Sequence, residues 1–595
     1  MNILGINCYL HESSVALFRD GEMVFAAEEE RFSRVKKDAR FPRLALQAAL
    51  DFAGIEFGDL DAIAFGWNRP AVTPLHTFRA GLTRKLAPSP KMTVDSLMQM
   101  ARELYYGNGK RALTRAFPLR NGQPLLYIDH HEAHAWSTYA LSGFEDALVV
   151  VVDGRGSRQA TSLYHARNGR LEVVTVIEWP NSLGSFYEAF TDLLGFERHS
   201  DEWKVMGLAA YGEPRFDLSS VLQVGEGTYQ LDSQLVLGRW WNDITPLEAR
   251  FGPRRHPEKE IRDEDRDLAA SVQQTAEAAL FSVVREGVRL TGCRNVCLAG
   301  GVAMNSKANG RLLASGIADD VFVQPAATDD GTAVGAALAA HAAIGAPVPR
   351  YRLRHVYLGP QFGNDEIETV LRTYKLAGTR VPDVERTTAQ LVADGAIVGW
   401  FQGRLEFGPR ALGSRSILAD PRLVEMRDRV NEVVKFREGW RPFAPSCLEE
   451  AAGDFFEGAK DAAFMTLCFD VKPSRRSEIP AVTHADNTSR IQTVNKDASP
   501  RYWSLISEFG KLTGTPVIMN TSFNLKGEPI VCTPKDAIRT FYSSGLDYLV
   551  LGDFVVAKDP AWTAKAEAGQ ATASNGKVKG RGGVRAGSKR GDGQS

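Results

Sequence analysis

Cysteine is scarce and scattered, with six in 595 residues and no Cys-x-x-Cys pair. Even the nearest two, Cys293 and Cys297, are separated by three residues, so neither a thiolate zinc site nor a disulfide framework is suggested. Long apolar runs are missing as well. Ala147–Val152 and the Ala/Gly-rich stretch 333–343 fall well short of a bilayer-crossing helix. The opening Met-Asn-Ile-Leu-Gly-Ile has no basic segment followed by an apolar one, so export is not expected and a cytoplasmic location is. Net charge is −1, which leaves no global field to attract nucleic acid or membrane. No Gly-x-x-x-x-Gly-Lys-[Ser/Thr] occurs, which excludes a Walker P-loop.

What is present describes an ordinary globular chain, 44% hydrophobic and 24% charged, long enough for about three structural units. The end is different material. From Ala564 onward four lysines and three arginines face one glutamate and one aspartate, a net +5 that leaves −6 on the rest. With almost no large apolar residues, this segment is expected to be a disordered basic tail. Upstream, Ile3–Cys8, a polar turn at His11–Ser14, Val15–Phe18 and Met23–Ala27 pattern as a strand hairpin. The plan returns at Leu126–Ile128, a helix His130–Leu141, Ala147–Val152, a turn at Asp153–Gly156 and Ala160–Tyr164. Two such strand–turn–strand units predict an actin-like ATPase architecture of two related lobes. A long helix around Gln274, a strand Val296–Leu298, a helix from about Ala303 and a strand Val321–Val323 follow. Pro347–Arg354 has the composition of a linker, and strands Ile397–Phe401 and Thr515–Asn520 lie beyond it, delivering polar or cationic residues at their C-terminal ends.

Cations concentrate between Arg404 and Pro445, where Gly408-Pro409 and Gly413 punctuate the backbone beside Arg410 and Arg415. Lys435, Arg437 and Arg441 follow, interleaved with Phe407, Phe436, Trp440 and Phe443. Guanidinium forks held in fixed directions among aromatics suit phosphate or carboxylate in a walled cleft. In the first half, His130 and His134 fall at i and i+4 on one helix face, close enough to share a metal. Asp153 and Asp329 each end a strand beside glycine; either completes a mixed site for iron or manganese, or serves only as a turn former. Gly300 and Gly301 stand where backbone approaches phosphate or adenosine. His11 is a candidate general base, and Lys204 a candidate phosphate or substrate contact.

Joined together, several segments resemble the NodU/CmcH carbamoyltransferases from Ile3 to about Val556. They are His11-x-Ser-Ser-Val-Ala-Leu17, Glu28-Glu-Glu-Arg-Phe-Ser-Arg34, His130-x-x-x-His134, Lys204-Val-Met-Gly-Leu-Ala-x-Tyr-Gly212, Gly300-Gly-Val-Ala-x-Asn305, Glu406-Phe-Gly-Pro-Arg-Ala-Leu-Gly-x-Arg-Ser416, Arg441-Pro-Phe-Ala-Pro445 and Asn520-Thr-Ser-Phe-Asn524. The resemblance implies an actin-like, threonylcarbamoyl-transferase-like domain over 1–346, a YrdC-like α/β domain over 347–558 and the basic tail over 559–595. It implies an ATP-dependent O-carbamoyltransferase of natural-product or antibiotic biosynthesis, or acting on a sugar. Carbamoyl-adenylate forms from ATP and carbamoyl phosphate, and the carbamoyl group then passes to a small-molecule hydroxyl.

Carried over motif by motif, Arg410, Arg415, Lys435, Arg441, Arg490, Asn520 and Ser522 bind ATP and carbamoyl phosphate, Lys435 and Arg441 acting in catalysis with His11. His130, His134, Asp153 and Asp329 hold a metal, Fe²⁺ or another divalent ion, with Mg²⁺ a further expectation and Asp330 the rival ligand to Asp329. A homodimer is one candidate state, and neither membrane nor nucleic acid is an expected partner. A tRNA-modifying threonylcarbamoyl transferase and an actin-like sugar kinase are the alternative readings. Glu12 and Ser157 depart from the Asp and Glu usual in the family, and both departures fall near the implied acceptor face.

Overall fold

The computed structural model describes residues 1–8, 11–68, 109–237, 244–559 and 562. Apart from 559 and 562, the expected basic tail lies outside the described residues. Two five-stranded sheets in the first half share one plan. The first sheet holds β1 (Asn2–Asn7), β2 (Ser14–Arg19), β3 (Glu22–Glu28), β4 (Ala62–Phe65) and β5 (Leu125–Tyr127), in spatial order β3-β2-β1-β4-β5. The second holds β6 (Asp146–Val152), β7 (Gln159–Arg167) and β8 (Arg170–Glu178). After the small ribbon of β9 (Leu222–Val224) and β10 (Tyr229–Leu231), it adds β11 (Asn295–Ala299) and β12 (Asp320–Val323), giving the order β8-β7-β6-β11-β12. In both, three strands form an antiparallel meander and two more add parallel to its first strand. The repeated order and direction make this the two-lobed actin-like arrangement.

β6 is buried along nearly its whole length because it has a core on each face. Leu148, Val150 and Val152 pack with Val283 and Ala279 of the helix Asp263–Thr291. Val149 and Val151 pack with the helices His130–Ser142 and Asp330–Ala343. Such strands lose polar alternation and become continuous apolar runs. The Ala/Gly richness of Asp330–Ala343 also has a steric cause. A Cβ on Gly335 would stand 1.6 Å from the Ala133 carbonyl oxygen, and one on Gly5 would stand 1.8 Å from that of Ala333. Only small residues let this helix lie between β1 and the histidine-bearing helix. The helix expected near Ala303 begins later. Gly301–Met304 is a 3₁₀ turn, and the α-helix Ser306–Ala314 starts where the Asn305 side chain accepts from the Ala308 amide.

The second half is built on one mixed eight-stranded sheet with a ribbon beside it. The sheet strands are β13 (Thr379–Arg380), β14 (Val398–Phe401), β15 (Arg415–Ala419), β16 (Ala444–Leu448), β19 (Gln492–Val494), β20 (Val517–Ser522), β21 (Tyr548–Leu551) and β22 (Phe554–Ala557); β17 (Cys468–Asp470) and β18 (Thr488–Arg490) form the ribbon. The segment expected to be a linker packs against the first half: Tyr351 and Leu353 amides donate to Ala140 and Leu141 carbonyls, and Arg352 bridges Ser142.

Contacts between the halves are close. Arg31 and Glu28, a buried ion pair, grip both sides of Gly408: Arg31 donates to its carbonyl at 2.8 Å and Glu28 accepts from its amide at 2.7 Å. Arg34 donates to the Ile530 and Pro529 carbonyls, and Asn309 to that of Thr466. Gly310 has no room for a Cβ, which would meet the Cys468 carbonyl oxygen at 2.0 Å.

Candidate functional site

Asp129 caps the helix His130–Ser142 by accepting from the His131 and Glu132 amides, so His130 and His134 open the first turns on one face. His130 Nδ1 contacts the Gly66 carbonyl at 3.1 Å, which leaves Nε2 to point away, and Trp67 stacks on the ring at 3.7 Å. The carboxylates come from the second sheet, on which this helix packs. Asp153 follows β6 and Asp329 follows β12, both at C-terminal ends of parallel strands. His130 Nε2 lies 3.4 Å from oxygens of both aspartates and 3.2 Å from His134 Nε2. All four donor atoms fall within 4.8 Å of one another and are buried. Two imidazole nitrogens facing each other and two carboxylates make a donor set that suits a divalent cation. Burial opposes charge on His130, but Asp329 and Asp153 outweigh it and raise its pKa to about 10; burial and then His130 push His134 down to about 4. Asp330 faces the other way, its carboxyl buried and raised by burial and then Glu12. The structure brings Asp329, not Asp330, to the cluster.

A single cleft of about 1330 Å³ runs from Asp153 and Asp329 into the second half. There it is lined by Arg410, Lys435, Arg437, Arg441 and Arg490, with Asn520 and Ser522 of β20. Lys435 closes a π-helical turn, Asn431–Lys435, and its ammonium donates to the Ser522 carbonyl at 2.5 Å and to Asn524 Oδ1 at 2.9 Å. Arg441 lies 3.9 Å over the Trp203 ring, so the first half supplies its platform, and Tyr211 holds the same turn by donating to the Trp440 carbonyl. The Nε atoms of Arg410, Arg441 and Arg490 are buried without a partner, and so is Asn520 Oδ1. Burial lowers the pKa of Arg410, Lys435 and Arg437, and repulsion from neighbouring cations lowers it further; burial also lowers that of Arg490. A polyanion would relieve that repulsion and fill those donors.

Two expectations are corrected by geometry. Arg415 does not line the cleft. It is fully buried, donates to the Gln402 carbonyl at 2.7 Å and to those of Ser414 and Gly403, and stacks on Phe401 at 3.6 Å. Gly300 is also outside; its φ of +91° and a Cβ position 2.3 Å from the Val152 carbonyl oxygen show a strand-packing role. Gly301 does line the cleft, but its amide is spent on Asp153 Oδ1 at 2.9 Å. Arg404, from the same cation-rich run, ties the halves together through the Gly359, Val24 and Leu358 carbonyls. His11, Lys204 and Glu12 line the cleft, whereas Ser157 is buried outside it. Sequence reasoning assigned no role to Lys307, Glu188 or His199, all in the lining. For Lys307 a signal existed in the Gly300-Gly-Val-Ala-x-Asn305 segment two residues before it.

Family models describe both halves: a carbamoyltransferase N-terminus matches residues 2–338 and a carbamoyltransferase C-terminus residues 389–558. The chain belongs to the carbamoyltransferase family. It is therefore a transferase. An uncharacterised protein of Synechocystis is 39% identical over 94% of this carbamoyltransferase and 97% of its own length. Nodulation protein NolNO of Sinorhizobium fredii is 38% identical over 93% of this chain and 80% of its own. Nodulation protein NolO of Bradyrhizobium diazoefficiens is 44% identical over 74% and 81%. Solved structures are more distant. Full-length HypF in its phosphate- and nucleotide-bound form shares 13% identity at a TM-score of 0.34, covering 58% of this chain and 56% of its own. A ROK hexokinase of Thermus thermophilus shares 16% at 0.27, covering 57% and 100%.

Proposed function

We propose that this carbamoyltransferase is an ATP-dependent O-carbamoyltransferase acting on a hydroxyl of a small molecule, a natural product or a sugar. One observation carries the reading: a single cleft connects a buried cation cradle to a four-donor metal cluster. In the cradle, ATP and carbamoyl phosphate with one water yield carbamoyl-adenylate, pyrophosphate and phosphate. Arg410, Arg437, Arg441 and Arg490 donate to the phosphate oxygens, and Lys435 is held beside them by Ser522 and Asn524. These cations stabilise charge on the α-phosphate and on the departing pyrophosphate. Asn520 Oδ1, buried and unpartnered, accepts from the carbamoyl amide.

The adenylate then meets the acceptor hydroxyl near His11, Asp153 and Asp329. His130 and His134 Nε2 with the Asp153 and Asp329 carboxylates would hold Fe²⁺ or another divalent ion, which would polarise the carbamoyl carbonyl as a Lewis acid. Among the described residues no helix is long and apolar enough to cross a membrane.

Incubation with ATP and carbamoyl phosphate is expected to release pyrophosphate, and adding an acceptor to release AMP. His134→Ala is expected to keep pyrophosphate release while losing bound metal and transfer. ADP in place of pyrophosphate would point to a kinase instead, and no nucleotide turnover would overturn the reading.

A further inference from the structure

Next to the metal cluster the cleft wall carries a second set of ionisable groups that the adenylation chemistry does not use. Glu188 projects from the helix Leu183–Leu193, and its Oε1 lies 3.3 Å from where a Cβ on Gly154 would stand, beside Asp153. His199 follows in the loop after that helix. Its Nδ1 is 3.0 Å from Glu188 Oε1, and its ring stacks on His11 with centroids 4.7 Å apart. The backbone of His199 is left-handed, φ +57°, a conformation uncommon outside glycine, and its surroundings can hold it there. They do. Its amide donates to Glu202 Oε1 at 2.6 Å, and the Lys37 ammonium donates to its carbonyl. Four groups thus hold His199 in the cleft wall, Glu188 and His11 at its ring and Glu202 and Lys37 at its backbone.

A histidine that donates Nδ1–H to a carboxylate keeps its lone pair on Nε2, the arrangement used wherever imidazole takes a proton from a hydroxyl. We propose that His199, positioned by Glu188, is the general base that accepts the acceptor's hydroxyl proton in carbamoyl transfer. The inference rests on the functional reading above. The hydroxyl oxygen attacks the carbamoyl carbon as its proton passes to His199 Nε2. The bond from that carbon to the phosphate oxygen breaks, and AMP leaves with the electron pair. The base role expected for His11 passes to its stacking partner, whose ring is the one with a carboxylate behind it.

The groups facing His199 are Glu188, Arg198, Glu202, Lys37 and His11. Burial and Arg198 disfavour its charge, and Glu188 outweighs them, so its pKa is raised. Glu202 is pushed up to about 7, by burial and then by Glu188.

The test uses the full chain with ATP and carbamoyl phosphate, and two acceptors. Glycerol needs its hydroxyl deprotonated; hydroxylamine attacks acyl-adenylates without a base. His199→Ala is expected to lower carbamoyl transfer to glycerol by about 10²- to 10⁴-fold, with pyrophosphate release and ATP-dependent hydroxyurea formation retained. The rate with glycerol must rise with pH through the pKa of the base. Glu188→Gln removes the anion that raises that pKa, so the acid limb of the profile is expected to move to lower pH. The proposal is overturned by undiminished glycerol transfer in His199→Ala, by an equal fall in all three readouts, or by an unmoved acid limb in Glu188→Gln. It is also overturned if the unaltered protein makes hydroxyurea but never carbamoyl-glycerol. Failure of the unaltered protein to release pyrophosphate would instead remove the functional reading beneath it.

Discussion

Arg415 and Arg490 are alike as residue types, and their surroundings give them opposite work. Arg415 has carbonyl partners on several sides and an aromatic ring beneath it. Arg490 lines the cleft and sits near Arg410, whose pKa its charge depresses. Removing Arg415 orphans buried carbonyls at about 1–3 kcal/mol each. Arg415→Ala is therefore expected to lower the thermal unfolding midpoint by several degrees. Arg490→Ala removes a repelling charge, so the midpoint should hold or rise, while pyrophosphate release falls by about 10²-fold or more. The reverse pattern would return Arg415 to the cleft and take Arg490 out of it. At this scale the sequence was ambiguous for a plain reason. A glycine-punctuated arginine announces a held guanidinium, but its direction depends on partners such as Pro360 that lie far along the chain.

Among elements, the helix Asp330–Ala343 matters most to the His/Asp cluster. It begins next to Asp329 and packs on the helix that carries His134, with Gly335 against Ala133. Because the clash of an added methyl would be with backbone, no rotamer change relieves it. Gly335→Ala is expected to destabilise by at least about 1–3 kcal/mol. It should also weaken retention of any metal the cluster holds, since the two helices carry or flank three of its four donor residues. Thermal unfolding and elemental analysis of the purified variant check both; full metal occupancy with an unchanged midpoint would show that the packing yields. The histidine-bearing helix was legible in the sequence, with His130 and His134 at i and i+4 on one face. The later start of the helix at Ser306 had its signal in Asn305, while the π-helical turn ending at Lys435 left no sequence pattern to find.

For the whole molecule, the cleft exists because two halves meet across it, and one ion pair on its wall links them. Lys307 of the first half lies 2.5 Å from Asp486 of the second. Burial alone would raise the Asp486 carboxyl; Lys307 and the Thr488 hydroxyl outweigh it and hold the pKa at about 2. Burial lowers neighbouring His484 to about 4. Both groups have folded pKa values below their unfolded ones, so the unfolded chain binds more protons in acid. The neutral-histidine contribution is lost as pH falls from about 6.5 toward 4, and that of the aspartate as it falls from about 3.9 toward 2. The unfolding midpoint is expected to drop across this range, and Lys307→Met should flatten the lower part of the drop. An unchanged acid profile in Lys307→Met would mean that the pair does not couple the halves.

By itself, the sequence determined the family, the repeated strand–turn–strand plan, the His130/His134 pair and the neighbourhood of the cation cradle. Each is written in short segments or fixed spacings, where local periodicity and turn chemistry are enough. Only the tertiary structure decided which arginines face the cleft, that Asp329 and not Asp330 joins the His/Asp cluster, and that Glu188 and His199 line the same cleft. Those outcomes depend on which side chains from distant segments share a buried volume, and on hydrogen bonds that no short stretch of chain contains.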